Sequence, residues 1–103
     1  MKLIKKLEEM IEDEIHDVKK YAKMAAAGKD EHPGLARVLY DLSVQEDSHQ
    51  AALHAEVVKI IEEYRRVNGA PPAAMLAVYE FIHERHIEDL AEARRYQDVY
   101  KGT

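Results

Sequence analysis

Two short stretches of this chain hold residue types and spacings that metal chemistry requires. Glu46-Asp47-Ser48-His49 is a Glu-x-x-His, and on a helix the i, i+3 spacing sets carboxylate and imidazole on one face. Glu14 lies upstream, between Ile11 and Val18. Carboxylate oxygens plus an imidazole suit iron or manganese, and zinc accepts the same donors. The Glu-x-x-His is not specific by itself. With 13 Glu and 6 His in 103 residues, about 0.8 copies arise by chance, and there are two, the other being Glu80/His83. What separates them is where the helices place them.

Gly and Pro, the strongest local breakers, cluster at Gly28/Pro33/Gly34 and at Gly69/Pro71/Pro72, with Gly102 near the end. The intervening segments are too long for strands, and their apolar residues recur at three- and four-residue steps. The first stripe is Ile4, Leu7, Ile11, Val18, Tyr21 and Ala25, with Gly28 placed to cap it. The second is Leu35, Leu39, Leu42, Leu53, Val57, Ile60, Tyr64 and Val67. The third is Met75, Tyr79, Ile82, Leu90, Ala93, Tyr96 and Tyr100. The expectation is an all-α chain, residues 1–103 forming one domain of three long antiparallel helices at about 2–27, 31–68 and 72–101. At about 1.5 Å per residue these run roughly 39, 57 and 45 Å. Long helices with short connections pack antiparallel to their neighbours.

The polar residues interrupt these stripes at matching places. Glu14 fills the core position between Ile11 and Val18, and Glu46 and His49 fill those between Leu42 and Leu53. A hairpin of the first two helices turns near residue 30, so Glu14 and Glu46 fall at one level, facing inward, with His49 a turn away. Two ionised carboxylates facing each other in an apolar setting are costly, and a divalent cation removes that cost. Taken singly, each residue has a plainer reading: a glutamate that is protonated, paired with Lys or Arg, or solvated at the stripe edge, or a core histidine with its hydrogen bonds met.

Glu14 with Tyr21 seven residues on, a short loop, then Leu39–Leu42 leading into Glu46-x-x-His49 resembles the first helical hairpin of the ferritin-like superfamily. The likeness is to rubrerythrins and the small encapsulated ferritins, and it spans roughly residues 8–60. In that superfamily a Glu from one helix and a Glu-x-x-His from its partner give half of a di-iron or di-manganese carboxylate site. The resemblance implies Glu14 as a terminal or bridging carboxylate, Glu46 as the bridging carboxylate, His49 as the imidazole ligand and Tyr21 beside a ligand. It implies iron as cofactor, with manganese or zinc as substitutes, and ferroxidase or peroxide-consuming oxidoreductase activity, though turnover itself does not follow from it.

A full ferritin-like bundle repeats the hairpin, whereas this chain has one hairpin and one further helix. If that helix folds back on the second, Glu80, His83 and His86 face residues 54–60, more than a turn from Glu46. Asp89 and Glu92 are at a better level but come with no suitably spaced histidine. The expectation is therefore a homodimer, at least, whose twofold interface sums to four Glu and two His in a four-helix-type bundle. The two residues that follow Lys101 in this sequence give no support to an expectation of encapsulation.

A second polar group, His54, Glu56, His83 and His86, falls where the second and third helices meet. It is read first as solvated edge histidines and second as another metal site. The Glu8/Glu9/Glu12/Asp13 run is read as a solvated face, and Tyr40, Tyr64, Tyr79, Tyr96 and Tyr100 as core or interface aromatics. The formal charge of −5, from 15 Lys+Arg against 20 Asp+Glu, argues against a nucleic-acid partner. The absence of cysteine removes thiolate sites, iron–sulfur clusters and Cys nucleophiles. The charged, interrupted N-terminal stretch resembles neither a signal peptide nor a membrane span, so a cytoplasmic location is expected. The rival class is a metal-free helical module for oligomerisation or partner binding.

Overall fold

In a computed structural model that describes residues 2–102, three helices account for nearly all of the chain: α1 (Lys2–Gly28), α2 (Pro33–Asn68) and α3 (Ala73–Lys101). No strand occurs among the described residues. The helix limits fall within about two residues of those read from the Gly/Pro punctuation. Pro33 occupies the first turn of α2, where a missing N–H costs no helical hydrogen bond. Gly69 (φ 80°) and Gly102 (φ 82°) lie in positive-φ backbone that side-chain-bearing residues rarely adopt. The Gly69 amide donates to Arg65 O, and the Gly102 amide to Asp98 O and Val99 O, so two helix ends are closed by glycine. Gly28 does not share this role: it remains within α1, and its carbonyl accepts from the His32 amide at 2.8 Å.

The bundle measures 55 × 20 × 18 Å, its long axis set by α2 at about 1.5 Å per residue. α1 is the central element. It packs closely on α2, antiparallel, and on α3, parallel, whereas the α2 and α3 backbones approach at only a few points. Lys19–Glu92 (3.0 Å), Glu12–Arg85 (3.7 Å) and Glu8–His86 (3.4 Å) fix the α1–α3 register. Between α2 and α3 the ties run through longer side chains. Arg94 donates two hydrogen bonds to Asp47, Gln97 Nε2 donates to Ser43 Oγ at 3.1 Å, and Tyr40 stacks on Tyr100 at 4.8 Å.

The buried face of α1 is Ile4, Ile11, Ile15, Val18, Ala22 and Ala25, so Ile15 and Ala22 belong to the stripe and Leu7 and Tyr21 flank it. The second helix departs further from its expected stripe. Its buried residues are Ala36, Ser43, Gln50 and Val57, one every seven residues, the repeat of helices that wrap around one another. Small and hydrogen-bonded side chains at these centres let α2 lie close against α1. The leucines move to the flanks, and Leu35 and Val67 end 58% and 64% exposed. On α3, His86, Ala93 and Gln97 are buried. The core is thin: the largest side chains fully enclosed are Ile4, Ile11, Val18 and Ser43.

Candidate metal centre

The α1–α2 seam positions the three residues singled out above. On α1, Leu7, Glu14 and Tyr21 form one row at seven-residue spacing, flanking the buried Ile11–Ile15–Val18 stripe. On α2, Leu39, Glu46, Leu53 and Ile60 form the facing row, and His49 lies one turn beyond Glu46. Because the chain reverses between Gly28 and Pro33, Glu14 and Glu46 come to one level.

Their side chains meet. His49 Nδ1 lies 3.7 Å from Glu14 Oε2 and 3.7 Å from Glu46 Oε2. One donor atom from each of the three residues falls within 4.8 Å of the other two, the only such grouping of metal-ligating side chains among the described residues. Both 3.7 Å separations are too long for hydrogen bonds, though within ion-pair distance. Glu14 Oε2 is buried and accepts no hydrogen bond from the described residues, Tyr21 included. An unpartnered buried carboxylate oxygen is expensive, and this is the one place among the described residues where a side-chain oxygen or nitrogen is left so.

The donor set fits a cation. Two ligand atoms bound to one ion at about 2.1 Å cannot be more than about 4.2 Å apart, so the observed spacings need only slight closing. The cluster is not deep in the core as the stripe gaps suggest. Side-chain exposure rises from 19% at Glu46 through 28% at Glu14 to 58% at His49. It occupies the outer rim of the α1–α2 seam, because α3 covers the opposite flank of α1 through Glu8, Glu12 and Lys19. No α3 residue joins it, and of the acidic candidates there Glu92 is committed to Lys19.

The second polar group forms only in part. His54 on α2 and His83 on α3 stack at 4.9 Å with 10° between ring planes, and His86 is buried nearby. Glu56 is not with them: it is exposed and paired with Lys59 at 3.1 Å. Glu8 takes its place, with Oε2 3.4 Å from His86 Nδ1. Burial raises the Glu8 pKa, against the pull of His86 and His83. Burial also lowers those of His54 and His86. Glu8 was hidden in the acidic run, which proves to be a solvated face only at Glu9 and Asp13, since Glu12 pairs with Arg85. The signal that identifies Glu8 is its place four residues after Ile4, on the edge of the buried stripe.

The chain matches no protein-family model, and no curated protein or solved structure matches it significantly. No helix is long and apolar enough to cross a membrane among the described residues.

Proposed function

We propose that this chain is the protomer of a ferritin-like carboxylate metalloprotein, in which Glu14, Glu46 and His49 hold iron and a second copy supplies the same three ligands across a twofold axis. The observation that carries this reading is the convergence of three donor atoms around a buried, unpartnered Glu14 oxygen. Manganese or zinc would find the same donors acceptable. When bound, iron supplies redox chemistry toward dioxygen or peroxide, the basis for a ferroxidase or peroxide-consuming activity.

The protein's own part is electrostatic and steric. Glu14 and Glu46 carry the anionic charge that draws a cation into the seam, and His49 adds a nitrogen donor that discriminates against calcium and magnesium. The pairing of two chains rests on what surrounds the trio. Met10 lies one turn before Glu14 and Leu42 one turn before Glu46, on the same faces. Met10 continues an α1 row of exposed Leu3 and Met24, and Leu42 an α2 row that begins at exposed Leu35. A second copy placed there would cover these side chains and bring its own carboxylates and imidazole to the open side of the cluster, forming a four-helix arrangement.

The same apolar rows suit the rival reading, a metal-free oligomerisation module, and one experiment separates the two. Protein stripped with chelator is titrated anaerobically with Fe(II), metal content is measured after desalting, and absorbance is followed on admitting air. The proposal expects one ion retained per chain, an absorbance rise with oxidation, and loss of both in Glu46→Ala. A chain that associates yet retains no iron, with Glu46→Ala behaving as wild type, would establish the rival reading instead.

A further inference from the structure

We propose that His54, His83 and His86 form a second cation site, distinct from the Glu14/Glu46/His49 cluster, for a borderline divalent ion of the zinc or nickel class that ties α2 to α3. The inference is independent of the ferritin-like reading, since the two sites share no residue.

The three imidazoles come from two helices and line one cavity of about 180 Å³, whose other walls include Gln50, Ile11 and Leu90. His83 and His86 are three apart on α3 and so share a face. His54 on α2 stacks its ring on that of His83 at 4.9 Å, and the nitrogens of the three rings do not lie within 4.8 Å of one another. His86 is 8% exposed and holds Nδ1 3.4 Å from Glu8 Oε2 on α1. That pairing has the form of the carboxylate–histidine contact that orients metal-binding imidazoles and leaves the other ring nitrogen to the ion.

In the ion-free arrangement the His54 and His83 rings lie face to face, so binding needs them to turn until their nitrogens converge. Three nitrogens and a supporting carboxylate favour zinc, nickel or copper over the hard ions preferred at a carboxylate-rich cluster. The location supplies a purpose. α2 and α3 backbones approach at only a few points, and an ion shared by His54 and His83 would join them directly.

The test uses full-length protein carrying Glu14→Ala, Glu46→Ala and His49→Ala, so that the first cluster is absent, titrated with Zn²⁺ by calorimetry at pH 7.5. The expected result is one Zn²⁺ per chain and a rise in Tm of several degrees. Adding His54→Ala or His83→Ala should weaken binding at least tenfold, and Glu8→Gln about 10- to 100-fold. Should the triple variant fold poorly, wild-type protein titrated with Zn²⁺ and followed by imidazole NMR gives the same decision. The His54, His83 and His86 ring signals must shift together, at a stoichiometry that His54→Ala removes. Zinc that perturbs only exposed histidines such as His16 or His32, or binding that His54→Ala and His83→Ala leave unchanged, overturns the proposal.

Discussion

Glu14 Oε2 and His49 Nδ1 stand 3.7 Å apart across the α1–α2 seam, and among the described residues neither His49 nor any other donor hydrogen-bonds that buried oxygen. Two carboxylates and an imidazole brought this close without direct hydrogen bonds form an arrangement whose electrostatic cost falls when a cation enters. The two carboxylates therefore carry a local penalty, offset in part by His49 at ion-pair distance, that a neutral amide in place of Glu14 would relieve.

Glu14→Gln tests that penalty. The substitution keeps side-chain length, removes one of two facing negative charges and supplies an N–H that can donate to Glu46. In chelator-treated protein the gain should be about 1 kcal/mol, or roughly 4–8 °C in Tm for a domain of this size. Iron should then raise the Tm of wild type but not of the variant. A metal-free Glu14→Gln protein that melts at or below wild type would show that the Glu14 carboxylate is already satisfied.

Association should depend on the apolar rows beside the cluster. Met10→Arg combined with Met24→Arg places like charges against each other in a twofold pair, while leaving the buried Ile4–Ala25 stripe intact. Sedimentation of the iron-loaded protein should show dimer dissociation strengthened at least tenfold, about 1.4 kcal/mol. The control Val58→Arg changes an exposed residue bordering the groove between α2 and α3 and should leave assembly unaltered. A wild-type chain that stays monomeric at micromolar concentration with iron present would remove the second copy from the functional reading.

The sequence shows the helices far more clearly than their faces. Gly28, Pro33, Gly69 and Pro71 interrupt the pattern so sharply that three spans follow from local chemistry. The level of Glu14 with Glu46 follows in turn from the shortness of the loop. Which face of α2 turns inward was obscured, because its centre is Ala36, Ser43, Gln50 and Val57 rather than the leucines. Hydrophobicity alone favours Leu35 and Val67, but close approach to α1 needs small side chains. The parallel α1–α3 contact is similarly hidden: Glu8–His86 joins residues on non-consecutive helices, and only the packed bundle brings them together.

Acidification should destabilise the chelator-treated protein. The His54 and His86 pKa values are lowered from 6.5, chiefly by burial. Between the lowered values and 6.5 the unfolded chain binds more protons, so stability falls as pH drops below about 6.5. Glu8 acts in the opposite sense. Its pKa is raised from 4.5 by burial, so its proton uptake favours the folded state, in a window lying nearer the acid end. The charges around these groups are His83 beside His54, and Glu8, Glu12, Asp89 and His83 around His86. Tm should fall between pH 7.5 and 5.5, and the fall should shrink in His54→Gln/His86→Gln. An equal fall in the double variant would assign the acid sensitivity to other groups.

The buried polar contact between α2 and α3 allows a test in which two changes should cost less than one. Ser43 Oγ donates to Tyr40 O at 2.6 Å and accepts from Gln97 Nε2 at 3.1 Å, with both side chains buried. Ser43→Ala deletes the acceptor and strands the Gln97 amide where solvent does not reach it, a loss of about 1–3 kcal/mol. Replacing both residues, as in Ser43→Ala/Gln97→Leu, leaves no polar group unpaired and converts the contact to an apolar one of similar size. That pair should recover most of the loss, seen in urea denaturation as a midpoint close to wild type with an unchanged slope. Additive losses would instead mean that Gln97 serves the α2–α3 contact mainly through its shape, because the hydrogen bond would then contribute nothing beyond the two side chains taken separately.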